Sequence, residues 1–362
     1  MRVAFIARAT LYTSPGGDTK QVDLTAEYLR RLGPEVDVIL TNQPIDYSRY
    51  DLLHFFNIIR PADILAHTMK SGLPYVVSTI FLDYGEFEKK ARKGLYQWVN
   101  KIFNEDQIEY LKAIARWVKN GESIRSRYYL LNGHRSSVIE VAKHAKVLLP
   151  NSENEYRRFA HKYKLEKKYR VVPNGIHPEV ATKTSKKNPK YEGCILCVAR
   201  IEGRKNQLNL IRALNNTEYT LIIHGKPSPN NIGYYNKCRE EAASNIQFSE
   251  WKTEEELYEM YHSAKVHVLP SYFETTGLSS LEAAVMGCNI VVTDKGDTKD
   301  YFEGHAWFCD PNSPSSIRKA IEEAYMAPYD ERFRDIILQK YTWERAAEET
   351  LAGYKQALSN KG

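Results

Sequence analysis

Two carboxylates, Glu274 and Glu282, stand eight residues apart on either side of Gly277 in the stretch SYFETTGLSSLEAAVMGCNIVVT. One apolar run precedes them at 266–270 and another follows at 289–293. That order reads strand, loop, helix, strand. The loop then sits at the carboxyl end of a parallel strand, where open α/β sheets take their ligands. Glu274 falls in the loop and Glu282 about a turn into the helix. Two acids at such a crevice suit a ligand rich in hydroxyls, because each carboxylate can accept two hydrogen bonds from one sugar ring. Nearer the N-terminus, Gly16 and Gly17 lie in the loop between a first strand and its helix. Paired glycines there let backbone amides approach a phosphate at a helix N-terminus. Their spacing is not G-x-G-x-x-G, which speaks against a dinucleotide cofactor.

The run E-T-T-G-L-S-S-L-E-A resembles the family-four retaining glycosyltransferases (glycosyl transferases group 1), whose motif is commonly E-G-F-G-L-x-x-L-E-A. Glu274, Gly277, Leu278, Leu281, Glu282 and Ala283 match. Thr275 and Thr276 replace the usual small and aromatic residues, which bears on the donor sugar more than on the reaction type. The resemblance implies an α/β protein of the GT-B fold, with two Rossmann-like parallel-sheet domains facing a central cleft. The donor would sit mainly on the second domain and the acceptor on the first. Glu274 would lie by the donor sugar and Glu282 would hold the nucleotide ribose, with Gly277, Leu278 and Ser279 also on the donor side.

Arg200 and Lys205, in CVARIEGRKNQ, have the family's spacing for two cations on the donor diphosphate. The physics agrees with that role. Breaking a sugar–phosphate bond builds negative charge on the leaving diphosphate, and fixed cations stabilise that transition state more than the ground state. Arg204 is a further cation to which the resemblance assigns nothing. Gly16 and Gly17 match a Gly-Gly of the family. Asn174 and Gly175, in VVPNGIHPE, match its V-x-N-G-V-D, with His177 in place of the Asp. His54 and Asn57 follow a strand in DLLHFFN, as in many relatives. The family's His-Asp after the strand PYVVSTIF is missing; Ile80 and Phe81 stand there, and Asp83 is the nearest polar residue. His54 and Asp83 are thus the acceptor-side candidates, and no general base is assigned. In a retaining front-face mechanism the departing phosphate itself can accept the acceptor's proton. No D-x-D occurs, and no His or Cys cluster has metal-ligand spacing. Neither a metal nor a cofactor is expected beyond the nucleotide diphosphate sugar consumed as donor.

At 362 residues the chain is long enough for two domains. Short apolar runs alternate with amphipathic stretches such as TKQVDLTAEYLRRL, which implies parallel βαβ units. The polar, Lys-rich stretch 180–190 reads as a linker between a first domain over 1–182 and a second over 188–343. The resemblance implies that a C-terminal helix over 344–360 returns to complete the first. MRVAFIAR is too short for a signal-peptide core and reads as a first strand. Cys194 and Cys197 lie three apart within the strand CILCVA, so their thiols point to opposite faces and suit core packing. With five irregularly spaced cysteines and no apolar run of membrane-spanning length, a cytoplasmic protein is expected.

Charge is unevenly placed. Residues 89–146 hold 13 Lys/Arg against 5 Asp/Glu, more than the whole chain's excess of +6. Trp98, Phe103, Trp117, Tyr128 and Tyr129 are interleaved with these bases. Either the segment docks on anionic headgroups at the inner face of a membrane, or it forms two solvated helices packed on their own domain. No nucleic-acid motif accompanies the charge. The expected function is transfer of a sugar from a nucleotide donor to a hydroxyl of a glycan or lipid-linked acceptor, in cell-surface glycan or glycolipid synthesis. A sugar-nucleotide epimerase or hydrolase, and a catalytically silent glycan-binding subunit, are the rivals.

Overall fold

The computed structural model describes residues 1–82, 104–120, 124–181, 187–250 and 253–359. The chain divides into two units, one of Met1–Asn174 with the stretch from Trp343 onward, the other of Gly175–Thr342. No helix among the described residues is long and apolar enough to cross a membrane.

In the first unit the apolar runs form β1 (Arg2–Ala7), β2 (Glu35–Leu40), β3 (Leu52–Phe56), β4 (Tyr75–Ser78) and β5 (Val147–Leu149). They pair in parallel in the order β2-β1-β3-β4-β5. A parallel sheet needs cover on both faces, which is why β3, β4 and β5 are buried at every position. The connecting helices are α1 (Gly17–Arg31), α2 (Pro61–Ser71), α3 (Glu105–Asn120), α4 (Arg127–His144) and α5 (Glu153–Tyr163). On α1, Val22, Ala26 and Leu29 face the core, as the spacing requires. The C-terminal helix Trp343–Leu358 packs on α1, β4 and β5. Not every aromatic of the basic stretch is available to a surface. Tyr129 is 1% exposed, whereas Trp117 and Leu131 are 44% and 85% exposed. Trp98, Phe103 and the helix expected around them lie outside the described residues.

The second unit holds β6 (Ile195–Val198), β7 (Leu221–His224), β8 (Ile246–Ser249), β9 (Val266–Leu269), β10 (Asn289–Thr293) and β11 (Trp307–Cys309), in the order β11-β10-β9-β6-β7-β8. Its helices are α6 (Gln207–Leu214), α7 (Ile232–Glu241), α8 (Glu254–Ser263), α9 (Leu278–Val285), α10 (Thr298–Phe302), α11 (Pro314–Met326) and α12 (Glu331–Lys340). Cys194, just before β6, and Cys197, within it, enter different core clusters. The chain runs outward from β6 to β8 and then returns to lay β9 against the other side of β6. That reversal is the sheet's switch point, at the carboxyl ends of β6 and β9, where open α/β sheets take ligands.

The boundary differs from the expected one. The chain passes between the units at Asn174–Gly175, not at residue 182. Ile176 and Val180 are buried in the second unit's core, and the Ile176 amide donates to the Tyr341 carbonyl at 2.9 Å. At Gly175 a Cβ would lie 2.3 Å from the Thr342 backbone, so only glycine permits that approach. On the far side, Asn188 bonds Ser263 and Glu259, and Tyr191 is in the core. Polarity misled here, because the described residues on either side of 182–186 belong to the second unit.

Candidate functional site

Three loops at the carboxyl edge of the second sheet hold or brace the candidate residues. The loop after β6 holds Arg200 and Lys205, the loop after β9 holds Glu274, and the loop after β10 braces the second. Lys205 Nζ lies 2.5 Å from Glu274 Oε2, with the two side chains only 19% and 11% exposed. Ser271 Oγ donates to the same carboxylate oxygen at 3.0 Å. Burial works to raise the Glu274 carboxyl, but the Lys205 charge, with hydrogen bonds from Lys205 and Ser271, outweighs it and holds the group below the ordinary carboxylate value.

The backbone beneath this pair is tightly fixed. The Glu274 amide donates to the Lys295 carbonyl and its carbonyl accepts from the Asp297 amide. Gly296, at φ 96°, passes so close that a Cβ would lie 2.0 Å from the Glu274 oxygen. Asn206 holds the end of the cationic loop. It adopts φ 62° and donates through Nδ2 to the carbonyls of Pro270 (3.0 Å) and Pro311 (2.7 Å). The Tyr272 amide donates to the Arg204 carbonyl, locking the two loops together. Arg204 itself pairs with the buried Glu202 at 2.5 Å. Arg200 is different. Its side chain is 44% exposed and 3.8 Å from Glu202. Asn206 and Gly296 escaped sequence reasoning because both act through backbone contacts. The left-handed conformation favoured by Asn and Gly was the one available signal.

Gly277 adopts φ 70° and caps α9, so Leu278 and Ser279 form its first turn, where helix geometry leaves amides without intrahelical partners. Glu282 lies further along α9, and Tyr261 Oη donates to its Oε2 at 3.3 Å. Burial and then the Glu282 charge raise the Tyr261 phenol, which stays a donor.

The first unit places several candidates and corrects one. Gly16 caps α1 and Gly17 is its first residue. The loop before them is drawn together by Arg8, which pairs with Asp18 at 2.6 Å and donates to the Thr10 and Ser14 carbonyls. Asn174 is buried at the unit's end. His54 is not a ligand residue. It lies within β3, fully buried, with Nδ1 2.6 Å from Tyr354 Oη of the C-terminal helix and Nε2 2.9 Å from Ser78 Oγ. Burial lowers its pKa to about 3, so it is neutral. Asp83 lies outside the described residues.

The turn after β4 is held by a residue that the sequence reading missed. Glu155, fully buried, accepts from Thr79 Oγ1, from the Phe81 amide at 2.9 Å and from the Asn151 amide at 3.0 Å. Two of its donors, Thr79 and Phe81, flank Ile80, a β-branched residue at φ 43° that needs such support. Ser152 and Glu155 have the S-x-x-E spacing of a capping box, and Ser152 Oγ does accept from the Glu155 amide. The carboxylate serves the neighbouring turn instead.

Residues 180–339 match the family described as glycosyl transferases group 1. An uncharacterized glycosyltransferase of Methanocaldococcus jannaschii is 24% identical over 93% of each chain. Among solved structures, a sucrose-phosphate synthase from Thermosynechococcus elongatus aligns over 99% of each chain with a TM-score of 0.74 at 15% identity. Anabaena HepE in complex with UDP aligns over 98% of this chain and 100% of its own, at 0.70 and 13%. At such identities the structural likeness is one of fold, and that fold is GT-B.

Proposed function

We propose that this chain, whose residues 180–339 match the glycosyl transferases group 1 family, moves a sugar from a nucleotide diphosphate to a hydroxyl acceptor with retention at the anomeric carbon. The observation that carries the reading is the mostly buried Lys205–Glu274 pair, with the more exposed Arg200 on the same loop as Lys205, at the switch point of the second sheet. Arg200 is suited to chelate two phosphate oxygens, and Lys205 to act as a point charge beside them. Glu274, ionised by Lys205, accepts hydrogen bonds from sugar hydroxyls. Glu282, oriented by Tyr261, does the same for the ribose. The first amides of α9 and of α1 favour anionic groups.

In this mechanism the bond from C1 to the diphosphate oxygen breaks and a bond from C1 to the acceptor oxygen forms on the same face. The acceptor's proton passes to the leaving phosphate. The burial and neutrality of His54 favour that route over a histidine base at its position. Side-chain cations rather than a metal neutralise the leaving group. UDP-sugars are the first donors to try, since HepE was solved with UDP.

A thermal-shift series with UDP-, GDP-, ADP- and TDP-sugars tests this. A true donor at 100 times its dissociation constant adds about 2.7 kcal/mol of stability, and Arg200→Ala should shrink that shift. No shift with any of them removes the reading, and a product of inverted anomeric configuration removes the retaining mechanism.

The acceptor class we favour is a cell-surface glycan or glycolipid, handled at the cytoplasmic side of a membrane. The charge excess of 89–146, with Trp117 and Leu131 exposed within it, supports docking on anionic headgroups. Cosedimentation with phosphatidylglycerol vesicles is expected to weaken as salt is added. Binding indifferent to anionic lipid and to salt would defeat the docking.

A further inference from the structure

Gln207 is the first residue of α6, and its side chain is fully buried. Nε2 donates to the Arg200 carbonyl at 2.9 Å. Oε1 has no hydrogen-bond partner among the described residues. An unpaired buried acceptor costs about 1–3 kcal/mol, whereas an apolar side chain of the same shape carries no such cost. Packing alone would therefore favour leucine or methionine. What glutamine supplies, and they cannot, is the tie to Arg200.

The rest of the cationic loop is secured elsewhere. The Ala199 amide bonds the His224 carbonyl, the Ile201 amide bonds the Lys226 carbonyl, and Asn206 anchors the far end. Gly225 backs directly onto the Ala199 carbonyl, where a Cβ would lie 2.0 Å away. Between these fixed points the Arg200 peptide carbonyl is held by the Gln207 amide. The side chain beyond it is nearly half exposed, and its guanidinium lies 3.8 Å from Glu202, too far for a hydrogen bond to that carboxylate. Its direction is set from the backbone.

We infer that Gln207 is a positioning residue for the diphosphate, acting through Arg200. The inference rests on the reading of Arg200 and Lys205 as diphosphate cations. A planar, two-pronged contact tolerates little misplacement, so a freed carbonyl should cost affinity for the second phosphate and leave the rest of the nucleotide untouched.

The test is isothermal titration of the wild type, Gln207→Leu and Gln207→Met with UDP, UMP, GDP and GMP, together with melting temperatures. In the wild type the diphosphate should bind more tightly than the matching monophosphate. In both variants that preference should fall about tenfold, with monophosphate affinity within about twofold and the melting temperature unchanged or higher. An unchanged preference in both variants overturns the inference, as does an equal loss for mono- and diphosphate. A wild type with no preference for any diphosphate removes the parent reading of Arg200 and Lys205, and this inference with it.

Discussion

Lys205→Ala is expected to damage folding and turnover together. Glu274 keeps its charge while mostly buried because Lys205 lies 2.5 Å away. Removing that cation leaves a carboxylate that must stay charged without its main partner or take up a proton. Breaking a buried pair from one side costs about 3–5 kcal/mol. The lost cation would also remove about 2–4 kcal/mol of transition-state stabilisation. Arg200→Ala separates the two effects. Its side chain is nearly half exposed, so turnover should fall by a similar factor while stability hardly moves. The double substitution Lys205→Met with Glu274→Gln eliminates the buried charges and should recover most of the stability but not the activity. Urea denaturation followed with a nucleotide-sugar turnover assay reads all of these. If Lys205→Ala unfolds where the wild type does, the pair is solvent-screened and the account of the site is wrong.

The second large effect is a loss of stability in mild acid. His54 in the first unit and His267 in the second are both fully buried, and burial lowers each to about 3. An unfolded histidine titrates near about 6.5. The folded pKa is thus below the unfolded one, so the unfolded chain binds a proton that the folded chain refuses. Stability is complete above the unfolded value and falls as pH drops towards the folded one. By about pH 4.5 each histidine withdraws about 2.7 kcal/mol from its own unit. His67 and His224, also lowered chiefly by burial, act in the same direction. The contribution of Glu274 follows at still lower pH, because its folded pKa lies below its unfolded one and is lost only as pH falls through it. Denaturation curves between about pH 7.5 and 4.5 should show this slope, and His267→Gln should flatten it for the second unit. Stability that stays level across that range would contradict the burial of neutral imidazoles.

Much of the site was legible because its chemistry is local in the chain. Glu274, Gly277 and Glu282 sit on one strand–loop–helix unit, so eight residues of spacing already place them at a strand end. His54 shows the limit. In DLLHFF it follows two leucines, and within a strand of a parallel sheet covered on both faces even a polar residue is core. Its partner Tyr354 is 300 positions away. Glu155 shows another limit, since its capping-box spacing is genuine but its carboxylate is taken by donors more than 70 positions upstream. Gln207, Asn206 and Gly296 act on carbonyls, which carry no trace in residue type.

By itself the sequence determined two parallel α/β sheets, the loops that end their strands, and the types of charge those loops carry. Apolar period and turn residues are local, and they suffice for that. The tertiary structure decided which charges meet. Lys205 and Glu274 are 69 positions apart, with β7, β8 and β9 between their loops. They touch because β9 returns to pair with β6. Coulomb attraction depends on separation and on exclusion of water, and both are set by strand order, not by distance along the chain.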